Sequence, residues 1–238
     1  MSARFEELAW AGTPIGEVSL RRRREPVTGT DVYEVKLGDE FLMSSLFTAA
    51  EEELARLALA RLTGTDLTVV VGGLGLGYTA RTVLEDDRVG ELVVVDALEP
   101  VIDWHRQHLV PLGEGLTTDG RCRLVHGDFF ALAAGGGFDP DRPPAPVDVL
   151  IVDIDHSPRH LLADGSASFY RPPGTAALAQ LIRPGGVYAL WSNDPPDEGY
   201  LDILRTAFTD VVAEVVEFHN PLQDRKASNT VYLATRHA

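Results

Sequence analysis

The sequence predicts an α/β fold: a Rossmann-like, seven-stranded sheet preceded by a small N-terminal β-hairpin region. Three observations predict it. From residue 67 onward, short apolar runs alternate with helix-patterned segments, as in a parallel sheet covered on both faces. A glycine cluster, Gly72-Gly73-Leu74-Gly75-Leu76-Gly77, follows the first apolar run and opens a helix. The last two apolar runs, 211–218 and 229–234, leave no room for a long helix between them and form an antiparallel edge pair.

Residues 17–20 and 32–37 read as short strands, and a turn at Gly38-Asp39 leads into a third at 41–45. Residues 48–62 read as a helix. Thr48 is placed to cap it, Glu51, Glu52 and Glu53 suit its positive end, and Leu54, Leu57, Ala58 and Leu62 form one apolar face. Gly64 stops it. These elements make a unit over 1–65, and 66–238 is expected to form the cofactor-binding catalytic domain. Its strands are 67–71, 92–95, 122–125, 147–152 and 187–191. Its helices are 78–84, 99–108, 175–182 and 201–208, with Pro100 at a tolerated first-turn position. Residues 133–146, with three consecutive glycines and four prolines, read as a surface loop or a mobile flap. Ligands of such sheets sit at the carboxyl ends of the strands.

A chain of 238 residues suits one large domain with a small appendage. The formal net charge of −15 argues against nucleic-acid and anionic-membrane partners. No stretch approaches the ~18 apolar residues of a membrane span, and residues 1–10 show no signal-like apolar region, so a cytoplasmic location is expected. The single cysteine, Cys122, excludes a disulfide within the chain and reads as a strand core residue rather than a nucleophile. The basic run Arg21-Arg22-Arg23-Arg24 reads as a solvated strand end or turn, with a subunit contact as the sharper alternative.

Chemistry concentrates at the strand ends. Gly72, Gly73, Gly75 and Gly77 let a ligand approach the backbone, or simply make a tight turn. Asp96, ending the second strand, suits two ribose hydroxyls or caps the following helix. Asp128, after the third strand, suits an adenine amino group or is a turn residue. Phe129 or Phe130 is placed to stack on the ring, with core packing for at least one. This set favours S-adenosylmethionine over a dinucleotide. Asp153 and Asp155, with His156, leave the fourth strand. Two carboxylates there orient a substrate amine and take its proton, or serve as caps and turns. No metal is assigned, although Asp153, Asp155 and His156 carry suitable donors. Residues 191–196, Trp-Ser-Asn-Asp-Pro-Pro, read as a pocket rim with Trp191 as a wall.

Val69-Val70-Val71-Gly72-Gly73, the Asp96 strand, Gly127-Asp128, Asp153 and Arg183-Pro184-Gly185-Gly186 together resemble the spermidine synthase (polyamine aminopropyltransferase-like) family, within the class I S-adenosylmethionine-dependent methyltransferase superfamily. The resemblance covers about residues 30–235. It implies ribose binding by Asp96, adenine binding by Asp128 and a general-base role for Asp153. The family usually carries Gly-Gly-Gly-Asp-Gly-Gly in the loop, where the Asp holds the amine of the decarboxylated cofactor; this chain has Gly75 there. Its Asp-Ser-x-Asp-Pro motif is altered, and its tyrosine- and glutamate-bearing polyamine segment is not recognisable in 44–53. Loss of the loop acid relieves repulsion of a carboxylate, worth several kcal/mol by order of magnitude. The leading expectation is therefore methyl transfer from intact S-adenosylmethionine to a small, amine-bearing metabolite. Aminopropyl transfer from decarboxylated S-adenosylmethionine is the alternative, and a non-catalytic cofactor-binding sensor is the second. The hairpin region and the resemblance suggest a homodimer.

Overall fold

The computed structural model describes residues 5–162 and 164–237. Four antiparallel strands come first and pair in chain order: β1 (Phe5–Thr13), β2 (Gly16–Arg24), β3 (Asp31–Leu37) and β4 (Glu40–Ser44). β1 is absent from the sequence reading because its residues lack a clean alternation; it is an edge strand, mostly exposed and held by pairing to β2. The basic run forms the end of β2 and is neutralised inside the sheet. Arg22 pairs with Glu6 at 2.6 Å, Arg23 with Glu34 at 2.7 Å and with Glu25, and Arg24 with Asp31 at 3.3 Å. The run is thus a strand end, as the sequence reading has it, with Arg22, Arg23 and Arg24 ion-paired within the first sheet and its flanks.

The second sheet has seven strands in the order β10-β11-β9-β8-β5-β6-β7. In chain order they are β5 (Leu67–Gly72), β6 (Val89–Asp96), β7 (Cys122–His126), β8 (Val147–Val152), β9 (Ile182–Ser192), β10 (Phe208–Asn220) and β11 (Arg225–Arg236). β5 through β9 pair in parallel, while β11 runs antiparallel between β9 and β10. This is the predicted seven-stranded sheet with its antiparallel edge.

The helices are α1 (Ala49–Ala60), α2 (Tyr78–Leu84), α3 (Glu99–Arg106), α4 (Gly113–Thr118), α5 (Phe129–Ala134), α6 (Pro172–Gln180) and α7 (Glu198–Arg205). Six-residue α4 and α5 are too short to show a helical period, so the sequence did not reveal them. α3 stops early because His108 adopts a left-handed φ of 56°. Thr48 sits at the N-cap of α1 but makes no backbone cap bond; its hydroxyl donates to Glu52 at 3.1 Å.

Successive strand residues feed two apolar layers. Val69 and Val71 face the layer containing Leu54, Ala58 and Ile102, while Val70 faces the layer containing Phe129, Tyr188 and Leu204. α1 packs against α2, β9 and β11, and Val18, Leu20 and Val35 of the first sheet join the same apolar layer. The 133–146 segment is pinned rather than mobile: Arg123 holds Asp139 and Asp141, each at 2.6 Å, and Arg142 pairs with Glu91. Glu91 and Arg123 lie near the starts of β6 and β7, so this segment is at the edge remote from the strand carboxyl ends. Among the described residues no helix is long and apolar enough to cross a membrane.

Asp148 ties β5, β8 and β9 together. Its carboxylate accepts the Thr68 N–H at 2.8 Å and the Arg183 guanidinium at 2.7 and 2.9 Å. Asp148→Ala strands a backbone donor and is expected to cost about 1–3 kcal/mol. Urea unfolding should show a lower midpoint with an unchanged slope; an unchanged midpoint would mean the tie carries no stability.

Candidate active site

The glycine loop leaves β5 under tight backbone control. Gly73 N–H donates to Val95 O at 2.9 Å and Asp153 N–H to Gly72 O at 2.8 Å, so the ends of β6 and β8 flank it. Gly73 has φ +93°, and a Cβ there would lie 2.0 Å from Asp153 O. That approach is open only to glycine. His105, fully buried, bonds through Nε2 to Gly75 O at 3.0 Å. Burial lowers its pKa, so it is neutral and donates from Nε2.

The loop floors a cavity of about 250 Å³, lined by all the acids singled out in the sequence. Asp96 accepts Leu74 N–H on one oxygen and Leu98 N–H on the other, both at 2.8 Å. Burial raises its pKa while these donors oppose the shift. Gly75 N–H is a third backbone donor to it; a carboxylate has about four acceptor sites, so capacity for a hydroxyl remains. Asp128 caps α5: its Oδ1 accepts Phe130 N–H at 2.9 Å and Ala131 N–H at 3.2 Å. Its Oδ2 has no partner among the described residues.

Phe129 is not available for stacking. It is 2% exposed, lies against the Cα of Gly72 and is stacked on Phe138 with centroids 5.3 Å apart. Phe130, partly exposed on the same wall, is the ring a purine can reach.

The three residues expected to act together separate in space. Asp153 Oδ2 accepts the Thr79 hydroxyl at 2.8 Å, and burial raises its pKa to about 6. Asp155 is 1% exposed, and its oxygens accept Tyr170 O–H and Leu162 N–H, both at 2.7 Å. It ties Leu162 and Tyr170 to the end of β8, with one donor on each oxygen, whereas Asp153 holds only Thr79 through its side chain. His156 bonds Glu40 at 2.7 Å across the cavity mouth. That contact ties β4 to the segment after β8, and His156 still lines the cavity.

The acid that does stand beside Asp153 is Glu51, on α1. Burial and the Asp153 charge push its carboxyl up to about 8. Trp191 walls the cavity with its indole N–H unpaired among the described residues, while Asn193 and Asp194 turn away to Asn229 and His160. Cys122 lies on β7, away from the cavity, with its thiol pushed up to about 12 by burial.

Comparison with known proteins bears on this geometry. No family model matches the chain. The polyamine aminopropyltransferase 2 of Pseudomonas aeruginosa is 31% identical over 153 residues, covering 60% of this chain and 40% of that protein. The crystal structure of the Thermotoga maritima spermidine synthase superposes with a TM-score of 0.69 at 16% identity, over 96% of this chain and 72% of the other. A spermidine synthase crystallised with the transition-state analogue AdoDATO gives a TM-score of 0.72 at 16% identity, over 96% and 73%. The chain shares the fold of these two spermidine synthases.

At Gly75 the packing leaves no room for a side chain. A Cβ on Gly75, at φ +47°, would meet the Met43 sulfur at 2.7 Å, and the same sulfur accepts Leu76 N–H at 3.2 Å. β4 therefore delivers a thioether to the place where a loop acid would project. Glu51, Thr79, Met43 and His105 escaped the sequence reading. Only Glu51 left a trace there: it falls on the stripe of Leu54, Ala55 and Ala58, the buried face of α1.

Gly75→Asp should clash with Met43 and lower both stability, by about 1–3 kcal/mol, and nucleoside affinity. Adding Met43→Ala should recover much of the loss. Thermal melts with and without methylthioadenosine read both effects; full tolerance of Gly75→Asp alone would contradict the packing described.

Proposed function

We propose that the chain transfers an aminopropyl group from decarboxylated S-adenosylmethionine to a small amine. The observation carrying this reading is the Glu51–Asp153 pair at the end of the glycine loop. Two enclosed carboxyls suit ammonium groups and disfavour a tail bearing its own carboxylate. The relatives support the same reading over methyl transfer, which the loss of a loop acid had favoured. The aligned segment covers 40% of the curated relative, so the activity rests on the cavity's chemistry as well.

The residues present fit such a cofactor. Gly73 and Gly75 leave a cradle without side chains, Asp96 has acceptor capacity for ribose, and Asp128 with Phe130 suits adenine. When bound, the sulfonium supplies an electrophilic carbon whose C–S bond breaks as the N–C bond forms, leaving a neutral thioether. Asp153, oriented by Thr79, takes the proton released by the attacking nitrogen. Its fixed position beside the loop contributes by proximity. Trp191, Leu162, Gly165 and Ser166 line the cavity and exclude water there.

The test is mass spectrometry of products from decarboxylated cofactor and a panel of small diamines and monoamines. Methylthioadenosine with an aminopropylated amine is the expected result. Methylated product from intact S-adenosylmethionine, with no aminopropyl product, would contradict it. Asp153→Asn should lower kcat by roughly 10²–10⁴-fold. A base must be ionised to act, and burial holds Asp153 at about 6. The wild-type kcat/KM should therefore climb with pH through about 6 and then level; a flat profile from pH 5 to 7 would remove Asp153 from the role.

A further inference from the structure

The cavity holds five acids, and four are already engaged. Asp96 takes three backbone donors, Asp128 caps α5, Asp155 binds Tyr170 and Leu162, and Asp153 binds Thr79. The Glu51 carboxyl is held only by its own backbone N–H among the described residues, with no other side chain bonded to it. It projects from the buried face of α1, with its backbone carbonyl 3.4 Å from the Thr79 hydroxyl that also holds Asp153. It is thus enclosed, without a cationic partner among the described residues, and shares the cavity with the end of the loop.

The loop itself offers no charge. Residues 72–77 are glycines and leucines, and Met43 fills the space above Gly75. Any discrimination between cofactor tails must come from an element outside the loop, and α1 is the element that places an acid there. We infer that Glu51 is the specificity-determining residue for the cofactor, pairing its carboxylate with the terminal ammonium of a tail that has lost its carboxyl group. This rests on the aminopropyl-transfer reading above.

The electrostatics agree in sign. A bare Glu51 beside Asp153 holds its proton. An entering ammonium favours the ionised form and forms an ion pair in a site shielded from water. A tail that also carries a carboxylate keeps the proton on Glu51 and confronts Asp153, so it gains much less. Selection here uses an acid on a packed helix in place of one on the glycine loop.

Isothermal titration of wild type and Glu51→Gln with three nucleosides tests the inference. The probes are decarboxylated S-adenosylmethionine, intact S-adenosylmethionine and methylthioadenosine, which lacks the charged tail. Wild type should favour the decarboxylated form by about tenfold or more. Glu51→Gln should erase that preference while changing methylthioadenosine affinity by less than about threefold. If the variant keeps the preference, Glu51 is not the selector and the aminopropyl reading stands without it. If methylthioadenosine binding falls in parallel with the others, Glu51 has only a structural role. If wild type binds the intact cofactor as tightly as the decarboxylated one, the aminopropyl reading fails and this inference fails with it.

Discussion

β5 is paired in parallel on both sides, with Val71 opposite Val94 and Ile151, and Gly72 opposite Val95 and Val152. That double register decides where every chemical group in the cavity lies. Strands in parallel end together, so the glycine loop, Asp96 and Asp153 emerge at one edge. The contact is tightened by Asp153 N–H on Gly72 O and Gly73 N–H on Val95 O. Glycine at 73 is required because the Asp153 carbonyl occupies the space of any side chain. Without that close approach the base and the cradle would be separate features.

The first sheet and α1 complete what the large sheet leaves open. β4 lays Met43 over the loop, Glu40 holds His156 at the cavity mouth, and α1 brings Glu51 against Asp153. Burying two carboxyls together is costly unless one stays protonated or a cation enters. A site that ionises both groups only when an ammonium arrives converts that cost into selectivity. On the proposed reading the loop needs no acid for a cationic cofactor tail, because Glu51 on α1 supplies the charge.

Much of the fold was legible because parallel strands buried on both faces leave continuous apolar runs, as in 67–71 and 147–152. Its glycine punctuation and terminal strand pair were equally plain. β1 was illegible because an exposed edge strand needs no alternation, and α4 and α5 because six residues carry no helical period. At the site, Asp96, Asp128 and Asp153 were readable from their positions after strands. The partners of Asp155 and His156 were not readable from their proximity to Asp153: Tyr170 donates to an Asp155 oxygen, and His156 Nε2 bonds Glu40, 116 residues away. Glu51 sat in plain view as the acid on an apolar helix face, but its place in an acidic triplet at a helix start offered a simpler explanation.

Proton release on ligand binding tests the central claim most directly. Titration of decarboxylated S-adenosylmethionine into wild-type protein at pH 7, in two buffers of different ionisation enthalpy, counts protons exchanged. Glu51 holds its proton below about 8, and pairing with an ammonium lowers that value. Release approaching one proton per cofactor is predicted. Buffer-independent heats, meaning no proton released, would contradict a carboxyl pair that opens to a cation.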